Sequence, residues 1–453
     1  MEEEMQRSEL VFVPAPALGH MAPTIELANR LLSITNQHHR ISITILIVSF
    51  PYTDPDFASY FQSLPSIFPN IRFIILPPVD PPPLTAHVAI ETLVSLYCHK
   101  WTPQFKEALT QLTDSSPPIR LTGLVIDVRF TDFIDVANQL GIPTFLNFAS
   151  NAAMLGLMLH LTTLRADHPK TTESFTELAI PSFANSVPPT VLPTPLLNKT
   201  DDSYKWYVHH YGRFRELKGI LVNTFPELES YAIDSFDSLS GIPKVYAVGP
   251  IVDLAGKGQL RPVGGSGEQE RIMKWLDRQP EGSVVLVCFG SMAGLSGAEL
   301  REIAVGLEAS GYRFLWSLRK APRFSGDGKA VEEDPRDGLP EGFEGRVEGR
   351  GWCVGGWGKW RCWGIRQLGV CESLWVEFCF GEFVVWGANS DLAYRPVVTA
   401  EEIERGIRRV MEKDSEVRRR VKEMSVKSRE AAREGGSSSV SMKQFIEDLV
   451  NDN

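Results

Sequence analysis

The sequence has no excess of positive charge, and this excludes one large class of partners. Among 453 residues, 56 acidic side chains outnumber 46 basic ones, which gives a net charge of -10 at pH 7. Binding a nucleic acid requires clustered Lys and Arg that neutralise its phosphates. The basic run Arg418-Arg419-Arg420 lies among glutamates, as expected for a solvated helix face. We therefore expect no nucleic-acid partner.

Long apolar runs and cysteines are also scarce. No stretch approaches the roughly 20 apolar residues that a membrane-spanning helix needs. The first residues, Met1-Glu2-Glu3-Glu4, are acidic where a secretory signal is basic. Six cysteines in the whole chain are too few for a disulfide framework. These observations predict a cytoplasmic protein with no membrane span.

Several nucleotide-binding motifs are missing as well. No Gly-x-Gly-x-x-Gly follows a predicted strand, which argues against a dinucleotide-dependent oxidoreductase, and no Walker loop is present. No histidine follows His210, and the spacing of Cys353, Cys362, Cys371 and Cys379 fits no usual zinc pattern. We expect no metal site.

What the sequence does contain begins with a strand, a tight loop and a helix. The apolar run Leu10–Val13 is ended by Pro14 and Pro16, and Pro23 suits the first turn of a helix. This places His20 in a loop at the carboxyl end of the first strand, where open α/β sheets bind ligands. Two interpretations stay open: a functional imidazole, or a loop histidine that only packs or caps.

The rest of the chain alternates predicted strands with helical stretches. In the first half these strands are Ile41–Phe50, Arg72–Leu76, Leu121–Asp127, Thr144–Phe148, Ile220–Phe225 and Val245–Val248. A Gly-rich stretch without periodicity then interrupts the pattern, which restarts at Glu268. The order predicts an α/β fold with mainly parallel sheets. We predict a first domain at 1–250, a linker at 251–267, a second domain at 268–436 and a C-terminal helix at 437–453.

Asp127 gives His20 a possible partner. It ends the strand that begins at Leu121, so its carboxylate reaches the same edge of the same sheet as His20. There it could fix the imidazole tautomer and stabilise the protonated ring, as in other pairs of a base and an orienting acid. The alternative is that Asp127 only caps a helix near Thr131.

Phe289-Gly290-Ser291-Met292 is a second candidate binding element. It follows a predicted buried strand and precedes a helix, so its amides and the Ser291 hydroxyl could hold a phosphate. It is not a hydrolase nucleophile elbow, because that turn requires Gly-x-Ser-x-Gly and here Gly290 and Ser291 are adjacent.

Seven segments together resemble the plant family 1 UDP-sugar-dependent glycosyltransferases. They are Val13–His20, Gly123–Asp127, Leu221–Glu229, Trp275–Asp277, Phe289–Met292, Phe314–Arg319 and Leu339–Phe343. The resemblance runs from about residue 8 to residue 351 and resumes from Val398 to Leu449. It is closest to the branch that glycosylates flavonoids and other phenolic or terpenoid acceptors.

The resemblance implies a fold and a set of roles. The fold is GT-B, two Rossmann-like, doubly wound parallel-sheet domains that face a cleft. His20 is implied to be the general base and Asp127 its partner, while Gly19, Gly290 and Ser291 are implied to contact the UDP-sugar. This donor is a co-substrate, so no cofactor is expected. The other partner is a small hydrophobic acceptor that carries a hydroxyl, and the chain is expected to be a monomer.

The family's donor-binding box departs from its pattern here. It should follow Gly351 and contain His-Cys-Gly-Trp-Asn-Ser, but residues 352–395 hold instead six of the ten tryptophans and four of the six cysteines. Gly369–Gly387, read one nucleotide on with permitted codons, can give Gly-Phe-Val-Ser-His-Cys-Gly-Trp-Asn-Ser-Val-Leu-Glu-Ser-Leu-Trp-Tyr-Gly-Val. The box is therefore interpreted as encoded but shifted in frame, by a frameshifted allele, a pseudogene or a gene-model error.

Two functional hypotheses follow. In the first, the protein transfers a hexose, expected to be glucose, from a UDP-sugar to a hydroxyl of a small plant metabolite such as a flavonoid, with inversion. In the second, the protein is inactive or only binds the acceptor, because the donor box is lost.

Overall fold

The computed structural model describes two compact units. It covers residues 7–16, 18–38, 41–48, 55–82, 90–114, 119–167, 177–188, 192, 196, 202–251, 266–288, 295–318, 323–324, 330–331, 334–355, 398–413 and 415–451. Described residues up to 251 and from 428 onward form the first unit, and those from 266 to 427 form the second. Most of the predicted linker, 252–265, lies outside the described residues. The predicted domain boundaries stay predictions.

Seven parallel strands form the sheet of the first unit. They are β1 (Arg7–Val13), β2 (Ile41–Ile47), β3 (Ile71–Ile75), β4 (Ile119–Asp127), β5 (Thr144–Phe148), β6 (Gly219–Val222) and β7 (Lys244–Ala247). Their order is β3-β2-β1-β4-β5-β6-β7. The chain runs outward from β1 to β3, then returns to β4 and runs outward the other way. The strand order therefore reverses between β1 and β4, which is where open α/β sheets form ligand sites.

Both faces of this sheet are covered, as its continuous apolar strands require. Along β1, Val11 and Val13 belong to one buried cluster, while Leu10 and Phe12 belong to another on the opposite face. The helices of this part are α1 (Leu18–His38), α2 (Pro55–Ile67), α3 (Ile90–Thr113), α4 (Phe133–Gln139), α5 (Ala152–Asp167), α6 (Asp202–Gly212) and α7 (Pro226–Ser235). The predicted alternation of strands and helices is confirmed here.

Glu229 gives the Pro226-Glu227-Leu228-Glu229 stretch a structural role. Its carboxylate accepts hydrogen bonds from the backbone N–H groups of Ala152 (2.9 Å) and Ala153 (3.1 Å), the first residues of α5. These amides have no partner within their own helix, and a negative charge there is favourable for the helix dipole. Glu229 thus holds the start of α5 against α7.

The second unit contains a three-stranded parallel sheet in its described part. Strands β8 (Val284–Cys288), β9 (Arg313–Leu318) and β12 (Gly351–Gly355) pair in the order β12-β9-β8, and β10 (Arg323–Phe324) pairs with β11 (Ala330–Val331). The helices are α8 (Ser266–Leu276), α9 (Gly297–Ser310), α10 (Phe343–Arg346) and α11 (Ala400–Met411), and α12 (Glu416–Ala432) begins in this unit and ends among residues of the first. Thr399 caps α11 in a capping box with Glu402, which fixes the start of this helix. Residues 356–395, which make up most of the region where the donor-binding box departs from the family pattern, lie outside the described residues.

The C-terminal helix, α13 (Ser437–Asn451), packs on the sheet of the first unit. Its apolar residues Met442, Phe445, Ile446 and Leu449 are all buried there. Asp448 accepts hydrogen bonds from the Nζ of Lys244 and the hydroxyl of Tyr246, both at 2.6 Å. The sequence predicted a helix at this position but not the surface that it covers.

Within the part of the chain that the structure describes, every helix is too short or too polar to cross a bilayer.

Candidate active site

His20 lies in the first turn of α1, and this corrects one prediction. The helix begins at Leu18, five residues before Pro23, so His20 is not in a loop as predicted. Proline inside a helix removes one backbone hydrogen bond. Here Met21 and Ala22 are buried in the core, and burying their apolar surface offsets that loss. Because the helix starts before His20, the histidine side chain is carried by a helix and not by a loop.

His20 and Asp127 form a hydrogen-bonded pair. His20 Nδ1 lies 2.7 Å from Asp127 Oδ2. The contact exists because β1 and β4 are parallel neighbours with Val13 beside Ile126. The carboxyl ends of the two strands therefore meet at one edge of the sheet. Asp127 is only 2% exposed, whereas the His20 side chain is 30% exposed and so reaches solvent.

Asp127 also caps the short 3-10 helix Val128–Phe130. Its Oδ1 accepts a hydrogen bond from the Arg129 backbone N–H at 3.2 Å, while Oδ2 faces His20. Burial by itself raises the pKa of this carboxyl, but the charge and hydrogen bond of His20, followed by those of Arg129, outweigh it. The pKa of Asp127 therefore lies below its ordinary value. The two interpretations of Asp127, as the partner of His20 and as a helix cap, are therefore compatible, because one carboxylate oxygen serves each.

The contacts of His20 define its tautomer. An ionised Asp127 can only accept hydrogen bonds, so Nδ1 carries the proton. On the other side of the ring, Arg129 Nη1 lies 3.3 Å from His20 Nε2. A guanidinium can only donate, so Nε2 presents its lone pair. The ring is held in the form that a general base requires, with the proton on Nδ1 and the lone pair on Nε2.

Two further residues support His20, and sequence reasoning did not single them out. The Thr24 hydroxyl donates to the backbone carbonyl of His20 at 2.7 Å, and Asn147 Nδ2 donates to the Thr24 hydroxyl at 2.8 Å. Asn147 lies on β5 directly beside Asp127. The sequence did place Asn147 near the carboxyl end of a predicted strand. This position could have indicated a site residue, because His20 and Asp127 lie at the same edge of the sheet.

A buried histidine lies near the site without belonging to it. His210 is 5% exposed and is enclosed by the hydroxyls of Thr131 (2.7 Å from Nδ1) and Ser95 (2.9 Å from Nε2). Burial lowers the pKa of His210 to about 4, and Asp132 only partly opposes this. The folded protein therefore holds a neutral imidazole that the unfolded chain protonates near pH 6.5.

This predicts a pH-dependent loss of stability. The pKa of His210 is lower in the folded than in the unfolded state, so protons bind preferentially to the unfolded chain. This binding does not change the free energy of unfolding above about pH 6.5, and it lowers that free energy as the pH falls toward 4. The cost rises to about 3 kcal/mol at pH 4. Urea unfolding at pH 7 and pH 5 should show a smaller pH effect in His210→Gln than in the wild type. Equal pH effects in both proteins would contradict the prediction.

The residues predicted to contact the donor are only partly described. Gly19 lies in the first turn of α1, next to His20, and its role stays a prediction. Gly290 and Ser291 lie outside the described residues, as does the whole stretch 289–294. In the described ranges no group of three or more His, Cys, Asp and Glu side chains could hold a metal ion.

Known proteins resemble the chain over nearly its whole length, although no protein-family model matches it. It is 38% identical to UDP-glycosyltransferase 71K2 of Pyrus communis, over 99% of each chain. It is 35% identical to the flavonol 3-O-glucosyltransferase UGT71C4 of Arabidopsis thaliana, again over 99% of each. A crystal structure of Medicago truncatula UGT71G1 with UDP-glucose matches with a TM-score of 0.81 and 34% identity, over 99% of this chain and 100% of that one. The chain therefore belongs to the plant UDP-glycosyltransferases and has their α/β GT-B fold.

Proposed function

We propose that the protein transfers a hexose, with glucose as the expected sugar, from a UDP-sugar to a hydroxyl of a small hydrophobic plant metabolite such as a flavonoid. The observation that carries this proposal is the pair of His20 and Asp127, 2.7 Å apart at the strand-order reversal. The relatives add the donor, since one was crystallised with UDP-glucose, and an acceptor class, since another is named a flavonol 3-O-glucosyltransferase.

The reaction follows from the protonation state of the pair. His20 Nε2 takes the proton of the acceptor hydroxyl while its oxygen forms a bond to the anomeric carbon of the sugar. The bond from that carbon to the UDP phosphate breaks, and UDP leaves with the electron pair. One displacement at one carbon inverts the anomeric configuration. Asp127 stabilises the imidazolium that forms and holds the ring in place.

The alternative, a relative that binds the acceptor without turnover, depends on the donor box. That box falls within 352–395, and all of it from residue 356 onward lies outside the described residues. No observation on the described residues favours the alternative, and the relatives give it no specific support.

We place the protein in the cytoplasm, as a monomer that needs neither a metal nor a cofactor. A displacement driven by His20 needs no Lewis acid at the diphosphate if protein groups hold its charge. We therefore expect turnover to be unchanged by EDTA. Loss of activity that Mg²⁺ or Mn²⁺ restores would contradict this.

The experiment uses purified protein, UDP-glucose and a panel of flavonols and simple phenols. Two proteins are compared, the chain as written and a chain whose segment 358–387 carries the reading in the other frame. The frame-restored chain should form a β-glucoside from the α-linked donor, as shown by mass spectrometry and the anomeric proton coupling. A folded, frame-restored chain that forms no glucoside with any acceptor would overturn the proposed function.

A further inference from the structure

Arg129 is a cation placed directly against the catalytic base. Its Nη1 lies 3.3 Å from Nε2 of His20, the nitrogen that must accept the proton of the acceptor. The acceptor hydroxyl and the guanidinium therefore compete for one lone pair. An acceptor can react only if the guanidinium finds another partner or moves aside.

The guanidinium lacks an acidic partner within the described part of the chain. No Asp or Glu side chain there lies within ion-pair distance of it. Both oxygens of the neighbouring Asp127 are engaged elsewhere, one by His20 and one by the Arg129 backbone N–H. Arg129 is partly buried, and a partly buried cation without a carboxylate is a strong attractor of anions. Its fork of N–H donors matches a carboxylate in particular.

The wider surroundings keep this charge in place. Burial lowers the pKa of Arg129, but Asp127, Tyr207, Tyr211 and Glu91 together raise it above the ordinary value. The side chain therefore stays cationic at every pH at which the protein works. A permanent positive charge beside the base cannot be removed by titration, only by a bound anion.

We propose that Arg129 is a specificity-determining residue that selects acceptors carrying a carboxylate close to the reacting hydroxyl. The carboxylate binds the guanidinium and draws it from Nε2, and the hydroxyl takes its place on His20. The substrate class is then a small aromatic hydroxy acid with the two groups on neighbouring atoms. This inference rests on the proposed function, because it assumes that the acceptor hydroxyl is held at His20.

Binding measurements test the inference without requiring turnover. Calorimetry on the full chain would use three probes: 2-hydroxybenzoate, its methyl ester and 4-hydroxybenzoate, which holds its carboxylate across the ring. A charge-assisted hydrogen-bond pair predicts that 2-hydroxybenzoate binds about 10- to 100-fold more tightly than either of the others. Arg129→Met should remove this preference and leave affinity for the ester unchanged or higher. Arg129→Lys keeps the charge without the fork, so part of the preference should remain.

Arg215→Met is the matched control. It removes the same charge from an exposed side chain that bonds the Ser240 carbonyl, and the preference for the acid should persist. Equal binding of acid and ester by the wild type, or a preference that survives in Arg129→Met, would overturn the role of Arg129 while leaving the proposed function intact. Binding of no probe by a folded protein would also overturn the role of Arg129, whereas the proposed function is overturned only by the absence of glucoside formation with every acceptor.

Discussion

Replacing His20 with alanine should lower the turnover of a phenolic acceptor by roughly 10² to 10⁴, the range typical of a lost general base. The Nε2 lone pair is the group that removes the acceptor proton, and its tautomer is set by the 2.7 Å contact with Asp127. Because the ring is on the surface of the site, we expect the fold to be unaffected. The measurement is kcat for the frame-restored chain with UDP-glucose and a flavonol.

Two further variants make the result specific. Asp127→Asn should lower turnover in the same direction, because the amide cannot stabilise the imidazolium as a carboxylate does. His99→Ala serves as a control, since that histidine is 78% exposed and is expected to leave turnover near the wild-type value. A frame-restored enzyme that kept near-full activity after His20→Ala would remove His20 from the mechanism.

The second large effect concerns the donor. In this family the region after Gly351 supplies a phosphate-binding turn of small residues at a helix start, so that backbone amides approach the diphosphate. The chain as written has Glu372 in the part of the sequence that should carry this turn, and a carboxylate in such a turn would repel the phosphates. Losing as few as two charge-assisted contacts, each worth about 1.5 to 3 kcal/mol, weakens binding by roughly 10² to 10⁴. We expect the frame-restored chain to bind UDP more tightly by at least that factor.

Calorimetry with UDP on both proteins decides this. Thermal unfolding of the two proteins without UDP shows whether the first unit is equally folded in each, so that a difference in affinity is assigned to the donor segment. Comparable micromolar binding by both chains would show that the segment was misread and that the sequence as written forms a donor site.

Much of the first unit was predictable because its signals are local. Continuous apolar runs predicted the positions of β1, β4 and β5: β5 matches at both ends, and the starts of β1 and β4 were placed up to three residues late. The pairing of His20 with Asp127 followed from the fact that parallel strands end at one edge of their sheet.

The features that were missed depend on contacts between distant parts of the chain. The start of α1 was placed too late, because proline is a local signal while the burial of Met21 is not. The position of Arg129 against His20 appears only when residues 109 apart in sequence meet. The support from Asn147 to Thr24 likewise spans 123 residues.

The packing of α13 on the first unit has a consequence for biosynthesis. Phe445 stacks edge-on against Phe145 at 5.1 Å, so the core of the first unit includes residues from the last turns of the chain. A nascent chain emerges from the ribosome N-terminus first, and domains generally fold as they emerge. Here the sheet of the first unit must wait, with an apolar face uncovered, until the second unit and Ser437–Asn451 have been synthesised. A premature stop codon anywhere downstream would therefore leave the acceptor half of the enzyme incomplete and exposed to chaperones and proteases.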